Sequence, residues 1–358
     1  MIRVRDDLRA LEGYHSPQVE VDVRLNTNES PFPAPPAFVA ALAEAVGSIA
    51  WNRYPDRRAD RLRSGIAALH GVDAANVFVA NGSNEVIQTL LLAYGGPGRT
   101  VLTFEPSYQM HAQIARVTGA TVVGWARDRD FRLDAASARQ AVADHRPAVA
   151  FLTSPNNPTG HADGPEVLDA LAGGGDTLVV VDEAYAEFGR WSAIERIAED
   201  APIVVLRTFS KTWSMAAARL GYLVGPVEVV RALETAVLPY HLDTVTQIAG
   251  ELALQHADEM NERVRLIVEQ RVEVAAGLTA GGCRVVDSSA NFILFRPPVA
   301  GADPAGADAV WAGLVARGVL VRNCSGWPGL AGWLRVTIGT NEENRRFLNA
   351  LKEVLDER

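Results

Sequence analysis

Four polar stretches stand out because each follows a short apolar run and each carries residue types that can do acid–base or covalent work. The run at residues 203–207 is followed by Thr208, Phe209, Ser210 and Lys211, with Arg219 eight positions beyond the lysine. A lysine among hydroxyls at the end of a buried strand loses hydration, so its pKa falls and its free amine becomes a nucleophile toward a carbonyl. The run at 177–181 ends in Asp182, Glu183, Ala184 and Tyr185. A carboxylate at the mouth of a central strand is costly unless a cation or strong donors meet it. The run at 148–153 leads into "SPNNPTG" at residues 154–160, a rigid turn able to fix an Asn amide in one orientation. The run at 76–80 leads into Asn81, Gly82, Ser83, Asn84 and Glu85 ahead of an apolar-periodic helical stretch at 86–93. Such a small-residue helix opening leaves N–H groups unpaired at a positive dipole end, which suits a phosphate.

Each station also has a plainer reading: Ser83 as a helix cap, Asp182 as half of a structural ion pair, Lys211 as a solvated loop lysine. Together they are more specific. An amine for an aldehyde, a carboxylate for a pyridinium nitrogen, donors for a phenolic oxygen, an aromatic platform and a phosphate cup are what pyridoxal 5′-phosphate (PLP) requires.

Positioning these groups is the task of the elements that precede them. Runs at 76–80, 100–104, 121–125, 148–153, 177–181, 203–207 and 221–224 alternate with helical stretches, which predicts a mostly parallel α/β sheet with helices on both faces. Ligands of such sheets collect at the carboxyl ends of the strands, where the four stations lie. Beyond Pro239 the rhythm changes to a long helical region at 244–280, strands near 283–286 and 291–295, and a helix–strand–strand–helix unit over 307–356. The division expected is an N-terminal arm at 1–36, extended through the Pro- and Asn-rich segment 26–36, a large α/β domain at 37–240 and a smaller α+β domain at 241–358.

Composition bounds the rest. A chain of 358 residues can bury a large core, and a formal charge of −9 with dispersed Lys and Arg gives no footprint for nucleic acid or an anionic membrane. The first ten residues lack the apolar core of a secretory signal, no apolar run is long enough to span a bilayer, and two distant cysteines suit a reducing compartment, so a cytoplasmic location is expected. The seven histidines show no ligand spacing, and no metal is expected.

"SPNNPTG", "VVDEAY" and "RTFSKTWSMAAARLGY", in this order and spacing, resemble the fold-type-I PLP-dependent aminotransferases. The resemblance is strongest to the histidinol-phosphate aminotransferases. It runs from "RLNTNESPF" and "RYPD" through "NGSNE", "EPSYQMH" and "LPYHLDTVTQ" to "ANFILF" and "WLRVTIGT". It implies the PLP transferase fold of type I and a homodimer working in histidine biosynthesis by a ping-pong exchange with 2-oxoglutarate. It assigns Lys211 to the Schiff base with the cofactor and then to proton transfer, and Asp182 to the ring nitrogen. Tyr185 and Asn157 would hold the phenolic oxygen and Tyr108 would stack on the ring. The phosphate would rest on the N–H groups of Ser83 and Asn84, with Thr208, Ser210 and Arg219 closing the cup. Tyr54 in "RYPD" would reach the phosphate bound by the neighbouring subunit. Arg335, Arg322 and Tyr14 would bind substrate, Arg335 gripping its anionic end with a planar fork that suits carboxylate or phosphate.

Three departures from the family pattern concern the substrate: "NESP", Trp213 with no glycine before Arg219, and the aromatic-rich "RNCSGWPGLAGW" carrying Trp327 and Trp333. They leave the imidazole phosphate substrate open, and the alternatives are an aminotransferase for aromatic amino acids or secondary-metabolic substrates, or a PLP-dependent decarboxylase or lyase of the same fold. A non-catalytic PLP-binding sensor is disfavoured, because no basic helix-turn-helix precedes residue 37.

Overall fold

Residues 149–152 send Val149 and Phe151 into one hydrophobic cluster and Ala150 and Leu152 into another. This period-2 alternation with both sides buried marks a sheet covered by helices on both faces. The computed structural model describes residues 2–9, 11, 13, 18–299 and 303–357. Its strands are β1 (Val23–Leu25), β2 (Val77–Ala80), β3 (Thr100–Glu105), β4 (Thr121–Ala126), β5 (Val149–Thr153), β6 (Leu178–Asp182), β7 (Ile203–Thr208), β8 (Gly221–Val224), β9 (Arg284–Val285), β10 (Phe292–Arg296), β11 (Val319–Asn323) and β12 (Leu334–Thr337).

β2 to β8 form one seven-stranded sheet in the order β2-β8-β7-β6-β5-β3-β4. Helices Gly82–Tyr94, Gln109–Val117 and Val227–Ala236 cover one face through Val86, Ile87, Leu90, Ile114 and Val230, while Ala135–His145 and Pro165–Ala172 cover the other. β8 runs antiparallel to both its neighbours, with Gly221 opposite Ala80 of β2 and Thr208 of β7. The chain therefore enters β8 at the edge where β2, β5, β6 and β7 end, which brings Arg219 to that edge.

The second sheet has the order β1-β11-β12-β10-β9. β1 lies within the segment expected as an arm and pairs in parallel with β11, Val23 opposite Val319. The long helical region at 244–280 is corrected: a 3-10 turn, Leu254–His256, separates the helices Thr244–Ala253 and Ala257–Ala280. The core under this sheet includes Ile267, Phe292, Leu314, Val336 and Phe347, and it reaches Tyr185 and Phe188 beside the large sheet. Among the described residues no helix is long and apolar enough to cross a membrane, and no group of three potential metal ligands occurs.

Candidate active site

At the shared strand edge lies a cavity of about 270 Å³. Ser83, Asn84, Tyr108, Asn157, Asp182, Tyr185, Thr208, Ser210, Lys211, Arg219 and Arg335 all line it. Two further expected residues lie elsewhere. Arg322 is buried with its guanidinium 5.5 Å over the Trp327 ring and is absent from the lining. Tyr54 is 80% exposed and stacks on Tyr240 at 4.6 Å, away from the cavity of its own chain. Tyr14 lies outside the described residues.

Lys211 follows β7 and donates from Nζ to the Thr27 carbonyl oxygen at 3.0 Å. Burial, and then the nearby Arg335 and Arg219 charges, bring its amine down to about 8 against a partial opposing pull from Glu29. A lysine so placed offers a substantial neutral fraction near neutral pH.

Asp182 ends β6 and is 3% exposed. Its Oδ2 accepts from His111 Nε2 at 2.8 Å and its Oδ1 from the Ala184 N–H at 3.1 Å. Because an ionised carboxylate only accepts, the shared proton sits on the His111 Nε2. His111 in turn stacks on Phe151 at 4.3 Å, with Tyr108 edge-on to it at 5.3 Å. The neighbouring acid, Glu183, is committed elsewhere: Arg207 donates to it from Nε at 3.0 Å and from Nη2 at 2.7 Å, and Ser192 Oγ at 2.8 Å. Asp182 is thus the β6 carboxylate that faces the cavity.

The phosphate cup was expected at the start of the helix Gly82–Tyr94. The N-cap position of that helix is Asn81, which makes no side-chain cap bond, and Ser83 already stands inside the first turn, so the plainer reading of Ser83 as the cap does not hold. Instead Glu85 folds back to accept from the Asn81 N–H at 2.6 Å, and the cavity-lining Ser83 and Asn84 stand in the open first turn. A methyl group on Gly82, whose φ is +78°, would lie 2.7 Å from Arg219 Nη2. One on Gly221 would lie 2.3 Å from the Ser83 backbone nitrogen. Both glycines hold the helix end, β8 and the Arg219 guanidinium in close contact. A guanidinium beside the positive end of a helix is an arrangement that an anion between them stabilises.

Arg335, 5% exposed on β12, donates from Nη1 to Asn157 Oδ1 and from Nη2 to the Asn26 carbonyl oxygen at 2.9 Å. The first bond commits the Asn157 oxygen and leaves its Nδ2 as the donor that remains. The buried Arg335 Nε has no partner among the described residues. Tyr185 accepts at its hydroxyl from Asn28 Nδ2 at 3.0 Å.

The residues present fit PLP. Three cationic side chains and an open helix end face two carboxylates, Asp182 and Glu29, which is the balance that a dianionic phosphate and a cationic ring nitrogen require. A desolvated amine serves the aldehyde.

Sequence reasoning missed three participants. His111 carries the partner of Asp182 and lies three positions after Tyr108, a one-turn spacing that the "EPSYQMH" stretch shows. Thr27 and Asn28 belong to the arm segment "RLNTNESPF". Asn28 has a φ of 56°, a conformation that asparagine tolerates better than most residues, and it ties the arm to Thr337 and Asn291.

Residues 20–351 match the family model described as aminotransferase class I and II. The chain is 47% identical to histidinol-phosphate aminotransferase of Thermobifida fusca over 97% of its own length and 94% of the relative's. It is 46% identical to the enzyme of the same name from Streptomyces avermitilis, over 99% and 97% of the two chains. Its fold is that of the histidinol-phosphate aminotransferase of Sinorhizobium meliloti solved with pyridoxal 5′-phosphate, with a TM-score of 0.90, 24% identity and coverage of 99% and 98%.

Proposed function

The chain belongs to the class I and II aminotransferases, and from that premise we propose that it transfers the amino group of histidinol phosphate to 2-oxoglutarate with PLP as cofactor. The full-length similarity to relatives of that name carries the reading. The charge balance of the cavity supports the cofactor independently.

When bound, the cofactor supplies an aldehyde and an electron-withdrawing ring. Lys211 would provide the amine for that aldehyde and, as a free amine, the base that moves a proton at the substrate carbon. Asp182, oriented by His111, holds a proton on the ring nitrogen. Tyr185 and the Asn157 Nδ2 donate to the phenolic oxygen, and Tyr108 covers the ring. Ser83, Asn84, Thr208, Ser210 and Arg219 hold the phosphate. Arg335 takes the anionic end of the substrate, and because its fork fits carboxylate and phosphate alike, one residue serves both half-reactions. Tyr14 completes substrate binding in this reading, and Arg322, which is absent from the cavity lining and lies over Trp327, contributes only through its neighbours.

The working unit is a homodimer in the cytoplasm, with an arm over residues 1–36, a large domain over 37–240 and a small domain over 241–358. Tyr54, Trp51 and Leu238 are 80%, 71% and 76% exposed in one chain, and Trp51, Tyr54 and Tyr240 line a single concavity. So much clustered aromatic and apolar surface suits a partner subunit, toward whose phosphate site Tyr54 extends. Sedimentation at micromolar concentration that returned only monomer would refute the dimer.

The substrate is tested by a donor screen with 2-oxoglutarate as acceptor. Histidinol phosphate is expected to exceed phenylalanine, tyrosine and histidine in kcat/KM by about 100-fold or more, since a dianionic phosphate offers the buried Arg335 fork more charge and more acceptor oxygens than a single carboxylate does. A preference for phenylalanine over histidinol phosphate would overturn this assignment.

A further inference from the structure

The two tryptophans of the segment after β11 have different fates. Trp333 is 3% exposed, edge-on to Phe131 at 5.3 Å, and flanked by the Arg284 and Arg296 guanidiniums at 5.4 and 5.3 Å. It anchors the loop. Trp327 is only half-buried, and it lines the same cavity as Lys211 and Arg335.

The loop holds Trp327 by its backbone: its N–H donates to the Cys324 carbonyl oxygen at 2.9 Å, and its own carbonyl accepts from the Leu330 N–H at 3.0 Å. The Cys324 and Trp333 backbones close the loop at 3.1 Å. The Arg322 guanidinium, 5.5 Å over the indole, fixes the plane of the ring. Arg322 is itself placed by β-pairing, opposite Arg335. A rigid, flat, apolar surface on the cavity wall beside an anion-binding guanidinium is what a substrate with both an aromatic ring and an anionic group needs.

We propose that Trp327 is a specificity-determining residue whose indole stacks on the heteroaromatic ring of the amino donor, with Arg322 acting through it as a positioning residue. This rests on the proposed amino donor and adds the element that selects its ring. Arg322 behind the indole disfavours a second cation in front of it, so the wall selects a neutral ring. Glutamate, the donor in the opposite half-reaction, has no ring and gains little from the same surface.

The test compares single-turnover kcat/KM for histidinol phosphate and for glutamate in wild type, Trp327→Leu and Trp327→Phe. Leucine keeps apolar cover over the loop and removes the π face, whereas phenylalanine keeps a ring. The ratio of histidinol phosphate to glutamate is expected to fall about tenfold in Trp327→Leu, chiefly through KM, and to stay within about threefold of wild type in Trp327→Phe. Equal losses for both donors would make Trp327 a packing residue and overturn the proposal, as would an unchanged ratio in Trp327→Leu. Should wild type reject histidinol phosphate but accept phenylalanine, the substrate assignment fails on its own. The same ratio taken with phenylalanine then still decides the role of Trp327.

Discussion

Lys211→Ala is expected to lower turnover by at least about 10⁴-fold, because in the proposed mechanism it removes both the amine for the cofactor aldehyde and the base of the proton transfer. The fold is expected to survive. Lys211 makes one hydrogen bond, to the Thr27 carbonyl, and burying its charge costs energy that alanine does not incur. A melting temperature within a few degrees of wild type, together with lost turnover, separates chemistry from unfolding. The same lysine sets a pH dependence. With its amine brought down to about 8 by burial and by Arg335 and Arg219, the neutral form dominates above that value. The rate at which cofactor-free protein captures added PLP, followed in the near ultraviolet, is expected to rise with pH and level off just above 8. An ordinary lysine, at 10.5, would keep the rate rising well beyond that. Multiple turnovers near the wild-type rate in Lys211→Ala would remove this residue from the mechanism.

The gathering of site residues was legible where strand ends carry it. Asp182 and Lys211 follow runs buried throughout, and in a parallel sheet such runs finish at one edge, so polar residues after them converge without long-range information. Arg219 converges for a different reason, the antiparallel course of β8, which nothing in the four residues Gly221–Val224 announces. β1 was illegible because three residues have no periodicity to read, and its extended course is fixed by β11, roughly 300 positions away. His111 was overlooked for a related cause. Its value comes from Asp182, 71 positions on, and in sequence it is one polar residue in an amphipathic helix. The segment 323–333 could be recognised as unusual, but only packing separates Trp333, inside the core, from Trp327, on the cavity wall.

Asp182→Asn is expected to lower kcat by about 10³-fold at saturating cofactor. Aspartate and asparagine are nearly isosteric, so the change removes the charge and leaves the volume. A neutral amide cannot hold the ring nitrogen protonated, and a single preorganised electrostatic partner of developing charge is worth roughly 10²- to 10³-fold in a dry site. A structural cost follows from the hydrogen bonds. Asp182 accepts from two donors, the His111 Nε2 and the Ala184 N–H, and an amide can turn its oxygen to only one of them. Either one donor is left facing an NH₂ group, or His111 moves its proton to the buried Nδ1, which has no partner among the described residues; both carry a penalty of about 1–3 kcal/mol that lowers the melting temperature by several degrees. Asp182→Glu keeps the charge but lengthens the side chain by one methylene toward His111, so it is expected to recover part of the rate and less of the stability. The pattern distinguishes a group that acts on the cofactor from one that only ties His111 to β6. In the second case the two variants would lose stability without a matching loss of kcat, and an Asn variant within tenfold of the wild-type kcat would exclude Asp182 as the partner of the ring nitrogen.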